Sequence, residues 1–444
     1  MPPHRLEAAW DPRATVHTAA AVDYYGLKSE VENHKMTLDQ IDLADLDFFV
    51  NGDMYAAFKL LRAKSPVHWQ ERVPGRGFWS LTKYDDVLAC YRDAEAFSSA
   101  RGVTLYFGEA AAQRPGMGRL MITTDRPIHV KIRQVISRRF TPRAVAPYEG
   151  RIRKIAADIV DSIIERGECD FVVDVAAKLP TAVICEMMGI AREHWDLMFA
   201  IANESVGRHD EEYAMGRTGR ETVLSAQARA SEFFIEEARE RRRNPGDDLI
   251  SALVSGSVMG ESLSEADVVA NCWLLILGGQ ETTRNATSGA MLAMIQNPDE
   301  RRKFMANPAA PATTEEFLRW TSPVTHIMRT ATRDVEIRGH KIRAGQRVVL
   351  WNASANRDED QFADPDRFDV GRTPNEHLAF GYGEHFCIGA HLARLQMRVM
   401  FEELMGRIPE LELAGPVERL RSNFVAGIKH MQVRFAPARA DLRA

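Results

Sequence analysis

The chain has no apolar run long enough to cross a bilayer. Its longest, Val268 to Leu277, is interrupted by Asn271 and falls well short of the roughly 20 residues that a spanning helix needs. Its first residues carry no apolar stretch of the secretory kind, so the expectation is a cytoplasmic protein with no membrane span. Cysteine is scarce, with five residues at 90, 169, 185, 272 and 387. No two of them stand at zinc-finger or redox-motif spacing, which excludes a disulfide-built scaffold and leaves reduced thiols, four of them expected in the core. Neither sign of charge is in large excess: 57 Lys and Arg against 62 Asp and Glu give a net charge of -5, which excludes global attraction to nucleic acid or anionic lipid. No repeat, low-complexity tract or Gly/Ser linker divides the 444 residues. One domain is therefore expected over 46–444, preceded by a weakly patterned N-terminal extension, 1–45, lying over its surface.

What the sequence does have is mostly helical patterning. Short β-like runs occur at Gly77 to Thr82, Val335 to Arg338 and Arg347 to Trp351, so the expected class is mainly α with a smaller β region. One long helix is signalled by a capping box, Ser264 with Asp267, and an apolar pattern that persists to Asn297-Pro298. A second begins after Gly389 and sets Leu392, Leu395, Val399 and Leu404 near one stripe before Pro409.

The second helix starts directly behind a lone cysteine, in Phe380-Gly-Tyr-Gly-Glu-His-Phe-Cys-Ile-Gly389. Glycines at 381, 383 and 389 allow a tight loop whose amides face the sulfur, and the helix adds its positive end, so local geometry favours thiolate over thiol. A zinc site with His385 or His391 lacks further ligands. A dinucleotide loop fails because Phe386 stands where a third glycine is required. A plain buried cysteine would leave the glycines without purpose.

This segment resembles the haem-binding loop of the cytochromes P-450, F-G-x-G-x-H-x-C-x-G, at all six specified positions. The resemblance implies haem b with Cys387 as the axial thiolate on iron, and a haem-thiolate monooxygenase that uses dioxygen. Three further motifs fall in the family's order. Gly278-Gly-Gln-Glu-Thr-Thr283 places two costly glycines in mid-helix, with Thr282 four residues after Gly278 and able to bond back to its carbonyl. By resemblance, Thr282 hydrogen-bonds dioxygen and Glu281 relays protons. Glu316-Phe-Leu-Arg319 puts both charges on one helix face, with Arg367 as the expected third member, in a structural role. His129 and Arg133 share a helical face in Asp125-Arg-Pro-Ile-His-Val-Lys-Ile-Arg133; by the match they bind the haem propionates with Arg329 and His385. The family often reads Asp-Pro-Pro there, whereas Arg126 stands second here.

No flavin or nicotinamide module fits within the chain, so a separate ferredoxin and ferredoxin reductase are expected to supply electrons, with Lys131, Arg138, Arg139 and Arg394 as the docking face. Segments 101–120, 181–230, 324–327 and 424–428 are the expected pocket walls, with Leu105, Tyr106 and Phe107 shaping room for a hydrophobic small molecule. Local wording around Gly279 to Asn285 and Ser422 to His430 resembles actinobacterial members acting on sterols, branched lipids or terpenoids. The alternatives are a tailoring oxidase of an aromatic, polyketide or carrier-bound intermediate, and a peroxide-driven peroxygenase.

Overall fold

The computed structural model describes residues 36–105 and 118–438. Tyr106 and Phe107 lie outside the described residues. Among the described residues the helices that matter for the site are α1 (Ile128–Ser137), α2 (Glu149–Ile164), α3 (Lys178–Met188), α4 (Trp195–Val206), α5 (Glu211–Ala214), α6 (Gly219–Arg243), α7 (Glu265–Gln296), α8 (Pro311–Thr321) and α9 (Ala390–Arg407). The strands that matter are β1 (Val67–Val73), β2 (Arg76–Leu81), β3 (Phe97–Ser98), β4 (Glu168–Asp170), β5 (Ile327–Ala331), β6 (Arg347–Leu350), β7 (Glu412–Arg419) and β8 (Ile428–Arg434). Helix predominates, as expected. Among the described residues no helix is long and apolar enough to cross a membrane.

The central element is α7, which runs unbroken for 32 residues, about 48 Å at 1.5 Å per residue. Its start is the capping box read in the sequence: the Ser264 hydroxyl accepts from the Asp267 amide at 3.1 Å, and the Asp267 carboxylate accepts from the Ser264 amide at 3.2 Å. Apolar residues lie on every face, with Cys272, Ile276, Ala290 and Leu292 fully buried, because α3, α4, α6 and α8 all pack around it. A helix wrapped in this way is held by burial rather than by propensity, which is how it tolerates Gly278 and Gly279 in its middle.

Helix α9 packs against α2 and α8. Its Phe401 ring lies 4.5 Å from that of Phe317 on α8, and Val399 and Leu404 are fully buried as the stripe predicted, with Leu395 only partly so. The main sheet has the order β1-β2-β6-β5-β3, with β2 and β6 parallel and the other pairs antiparallel. A second sheet, β7-β8-β4, is antiparallel. The compact unit begins at Met36. Ile41 and Leu43 are buried in it, and the Leu43 amide donates to Gln70 of β1, so the packed chain starts ahead of residue 46.

Candidate functional site

Two adjoining cavities flank the middle of α7. The first brings Cys387 and Gly389 together with Gly278, Thr282, His129, Arg133, Arg329 and His385, residues separated by up to 260 positions in the chain. The second, also lined by Glu281 and Thr282, is walled by Leu277, Val324, Ile327, Phe424 and Val425. The expected site residues therefore meet in one place, and segments 324–327 and 424–428 both contribute wall. The other four cysteines are buried elsewhere.

The cysteine loop is shaped by its glycines. Gly383 sits at φ +71°, and a Cβ there would stand 2.6 Å from the Tyr91 carbonyl oxygen, so both backbone conformation and close approach demand glycine. Gly389 shows no such need, since its Cβ would meet only the Cys387 sulfur at 4.0 Å. Burial pushes the Cys387 thiol up, against the Gly389 amide and the charges of Arg133 and Arg394, which favour the anion. The loop amide and the nearby positive charges thus favour the anion, and desolvation opposes them at this sulfur.

On α7 the Thr282 hydroxyl donates to the Gly278 carbonyl at 2.8 Å, as the spacing predicted. A Cβ on Gly278 would meet nothing within 4 Å, whereas one on Gly279 would stand 2.9 Å from Ile184. Gly278 thus leaves open space beside the threonine, and Gly279 lets α3 approach. Glu281 is buried, with one carboxylate oxygen taking the Arg284 guanidinium at 2.6 Å and the other without a partner. Burial drives its carboxyl above the ordinary range, opposed by Arg284. Arg284, which continues to Asn203 of α4, was missed in the sequence. Nothing there sets an i, i+3 pair with a catalytic role apart from a surface one.

The basic groups converge from α1, β5 and the cysteine loop. The His129 and His385 rings stack at 3.9 Å, His129 Nδ1 has no partner although buried, and Arg133 donates to the Phe386 carbonyl at 2.7 Å. Arg329 is buried, with its guanidinium 5.8 Å from the Tyr91 ring centre. Burial, then the nearby Arg329, His129 and Arg133, hold the His385 imidazole down to about 2. Atoms of His129, Glu384 and His385 lie within 4.8 Å of one another, but two guanidiniums beside them disfavour a cation and call for anionic oxygens. Arg126, where the motif departs from the family's pattern, forms an ion pair with Glu384 of the cysteine loop. Tyr91 was not singled out in the sequence, because only the fold places it under both Gly383 and Arg329.

Two expectations need correction. Arg367 is not the third member of the Glu316–Arg319 pair: it offers only its carbonyl, to Arg319 at 3.2 Å, while the Arg372 side chain reaches Glu316 at 3.2 Å. Arg394 does not present a free charge for docking, since its Nε and Nη2 donate to Glu315 at 2.6 and 2.8 Å. Lys131, Arg138 and Arg139 line one surface groove, with Arg139 paired to Asp247 at 2.7 Å.

The family model for cytochrome P450 matches residues 212–408. The methyl-branched lipid omega-hydroxylase of Mycobacterium tuberculosis is 38% identical over 422 residues, covering 90% of this chain and 95% of that protein. The steroid C26-monooxygenase of Mycolicibacterium smegmatis is 36% identical over 409 residues, covering 91% and 98%. A solved Mycobacterium marinum cytochrome P450 in complex with pseudoionone superposes with a TM-score of 0.83 at 36% identity, covering 89% of this chain and 99% of that one.

Enzymes of this family hold haem through an axial cysteine thiolate, and the residues present fit that group. Cys387 and a cluster of basic side chains suited to carboxylates line the same cavity. The chain belongs to the cytochrome P450 family and is a haem-thiolate monooxygenase.

Proposed function

We propose that the protein hydroxylates a C–H bond of a hydrophobic molecule, a sterol, branched lipid or terpenoid, with electrons from a separate ferredoxin and its reductase. The observation that carries this reading is the apolar cavity beside Thr282, walled by Leu277, Val324, Ile327, Phe424 and Val425. Relatives named for branched-lipid, steroid and linalool oxidation support it.

Bound haem supplies activation of dioxygen and delivery of one oxygen atom. The chain's residues do the rest. Cys387 would provide the sulfur ligand, and His129, Arg133, Arg329 and His385 would hold the propionates through charge-assisted bonds. Thr282 spends its proton on the Gly278 carbonyl, so its oxygen lone pairs are left to accept a hydrogen bond. Glu281, driven toward the protonated form by burial, can carry a proton on its unpartnered oxygen, while Arg284 fixes the other.

The test is a panel of sterols, branched fatty acids, terpenes and aromatic acids, scored by the low- to high-spin shift of the purified protein. Response to at least one lipid and none to aromatic acids is expected; the reverse pattern overturns the substrate class. With a responding lipid, Thr282→Ala is expected to release reducing equivalents as hydrogen peroxide and to lower product per electron about tenfold. Unchanged coupling removes the role given to Thr282.

Lys131 and Arg138 are exposed on the groove that also holds Arg139. Reversing both charges, Lys131→Glu with Arg138→Glu, is expected to slow reduction by ferredoxin about tenfold or more at low salt. Reduction by dithionite should be unaffected. An unchanged ferredoxin rate would place the docking face elsewhere.

A further inference from the structure

Helices α4 and α6 are joined by a connector, 207–218, that contains the single turn α5. Its Arg208 and His209 line the cavity beside Thr282, and so do Arg421, Ser422, Phe424 and Val425 from the turn between β7 and β8. The connector and this turn therefore close the same stretch of wall.

A compact set of ion pairs fastens one to the other. Asp210, buried, accepts from Lys429 Nζ at 3.0 Å and from the Arg421 amide at 3.0 Å. Glu212 takes Lys429 at 3.1 Å through one oxygen and His430 Nε2 at 3.1 Å through the other. The opposite nitrogen of His430, Nδ1, faces Asp170 of β4 at 2.5 Å.

Both ring nitrogens of His430 thus meet carboxylate oxygens. A neutral imidazole has one N–H and one lone pair, so it can satisfy only one of them; the imidazolium donates to both. We infer that His430, held between Asp170 and Glu212, is a proton-dependent latch that fastens the connector over the substrate cavity.

The surrounding charges agree. Asp170 on β4, Glu212 on α5 and Glu418, which stands opposite His430 on β7, are acidic; Lys429, the strand neighbour, is already taken by Asp210 and Glu212. Burial pushes His430 down, but its bonds to Asp170 and Glu212 win and hold it above its ordinary value of 6.5. The sign follows: the closed latch binds the proton more tightly than the open one. Its stabilisation is complete below about 6.5 and is lost as pH rises through the raised value. Glu212 is the partner that lets go, being 40% exposed at the side chain against 13% for Asp170.

Hydrogen exchange of the purified holoenzyme reads the latch without catalysis. After correction for intrinsic rates, protection of peptides covering 207–218 is expected to fall about threefold to tenfold between about pH 6 and about pH 9, with peptides of α7 unchanged. In His430→Gln the connector should show the low protection at both pH values. In Glu212→Gln, a change at a half-exposed side chain that leaves the core intact, the pH dependence should shrink, because an amide can pair with a neutral ring. Protection that does not change with pH in the wild type, or an equal fall in either variant, overturns the latch.

Discussion

Cys387→Ser is expected to abolish the red-shifted Soret band of the ferrous-CO complex and to lower product formation by at least about a hundredfold. The substitution is nearly isosteric in a loop whose shape is set by Gly381 and Gly383, both at positive φ, so the fold should survive it and the change should be one of ligand chemistry. A serine oxygen is a harder and far more basic donor than a sulfur and cannot push electron density onto iron in the same way. No other thiol can take over. Cys90, Cys169, Cys185 and Cys272 are buried away from the cavity, and burial holds the thiols of Cys169 and Cys185 up to about 12. A difference spectrum on wild type and variant decides the matter. A red-shifted band that persists in the variant would mean that some other group ligates the iron.

The second large effect is expected far from any reacting atom. Glu316 and Arg319 are both fully buried and joined by two bonds, at 2.7 and 2.8 Å. Around them Glu316 also accepts from Arg372 at 3.2 Å, from Asn375 at 3.1 Å and from the Asp369 amide at 2.9 Å. Arg319 donates in turn to the carbonyls of Asn356 and Pro365 at 2.8 and 2.9 Å. Truncating one partner leaves guanidinium charge stranded where water cannot reach it, so Glu316→Ala should cost about 3–5 kcal/mol. The measure is the denaturant midpoint. Glu316→Leu with Arg319→Met should lose clearly less than the sum of the two single changes; strict additivity would show that the two charges do not depend on each other.

How much of this could be read from residues alone varied with how local the cause was. The ends of α7 were legible because the Ser264–Asp267 box and Asn297-Pro298 act within a few residues of themselves. The same holds for the bond from Thr282 to Gly278, a property of i, i+4 spacing on any helix. Glu316 and Arg319 were likewise placed by i, i+3 geometry, but their third partner was not. Whether Arg367 or Arg372 turns inward depends on the path of an irregular loop, and no periodicity encodes that path. Strand β7 escaped notice for a related reason, since Gly415-Pro416 inside it reads as a turn, and its pairing with β8 carries register shifts around that point. The glycines and the helix start beside Cys387 were visible in sequence, whereas its desolvation was not, because groups such as Arg133 of α1 and Arg394 of α9 come near the sulfur only in the folded chain.

The two cavities share six lining residues, Ile122, Leu274, Gly278, Thr282, Val324 and Ile327. Everything else on the substrate side, including Gln227, Phe424 and Val425, comes from positions that do not line the cysteine side. Drift in substrate preference can therefore accumulate in α6, the 207–218 connector and the β7–β8 turn without disturbing Cys387, the basic cluster or the groove of Lys131 and Arg138 proposed for ferredoxin. A chain divided in this way can keep one chemistry while exchanging its clientele.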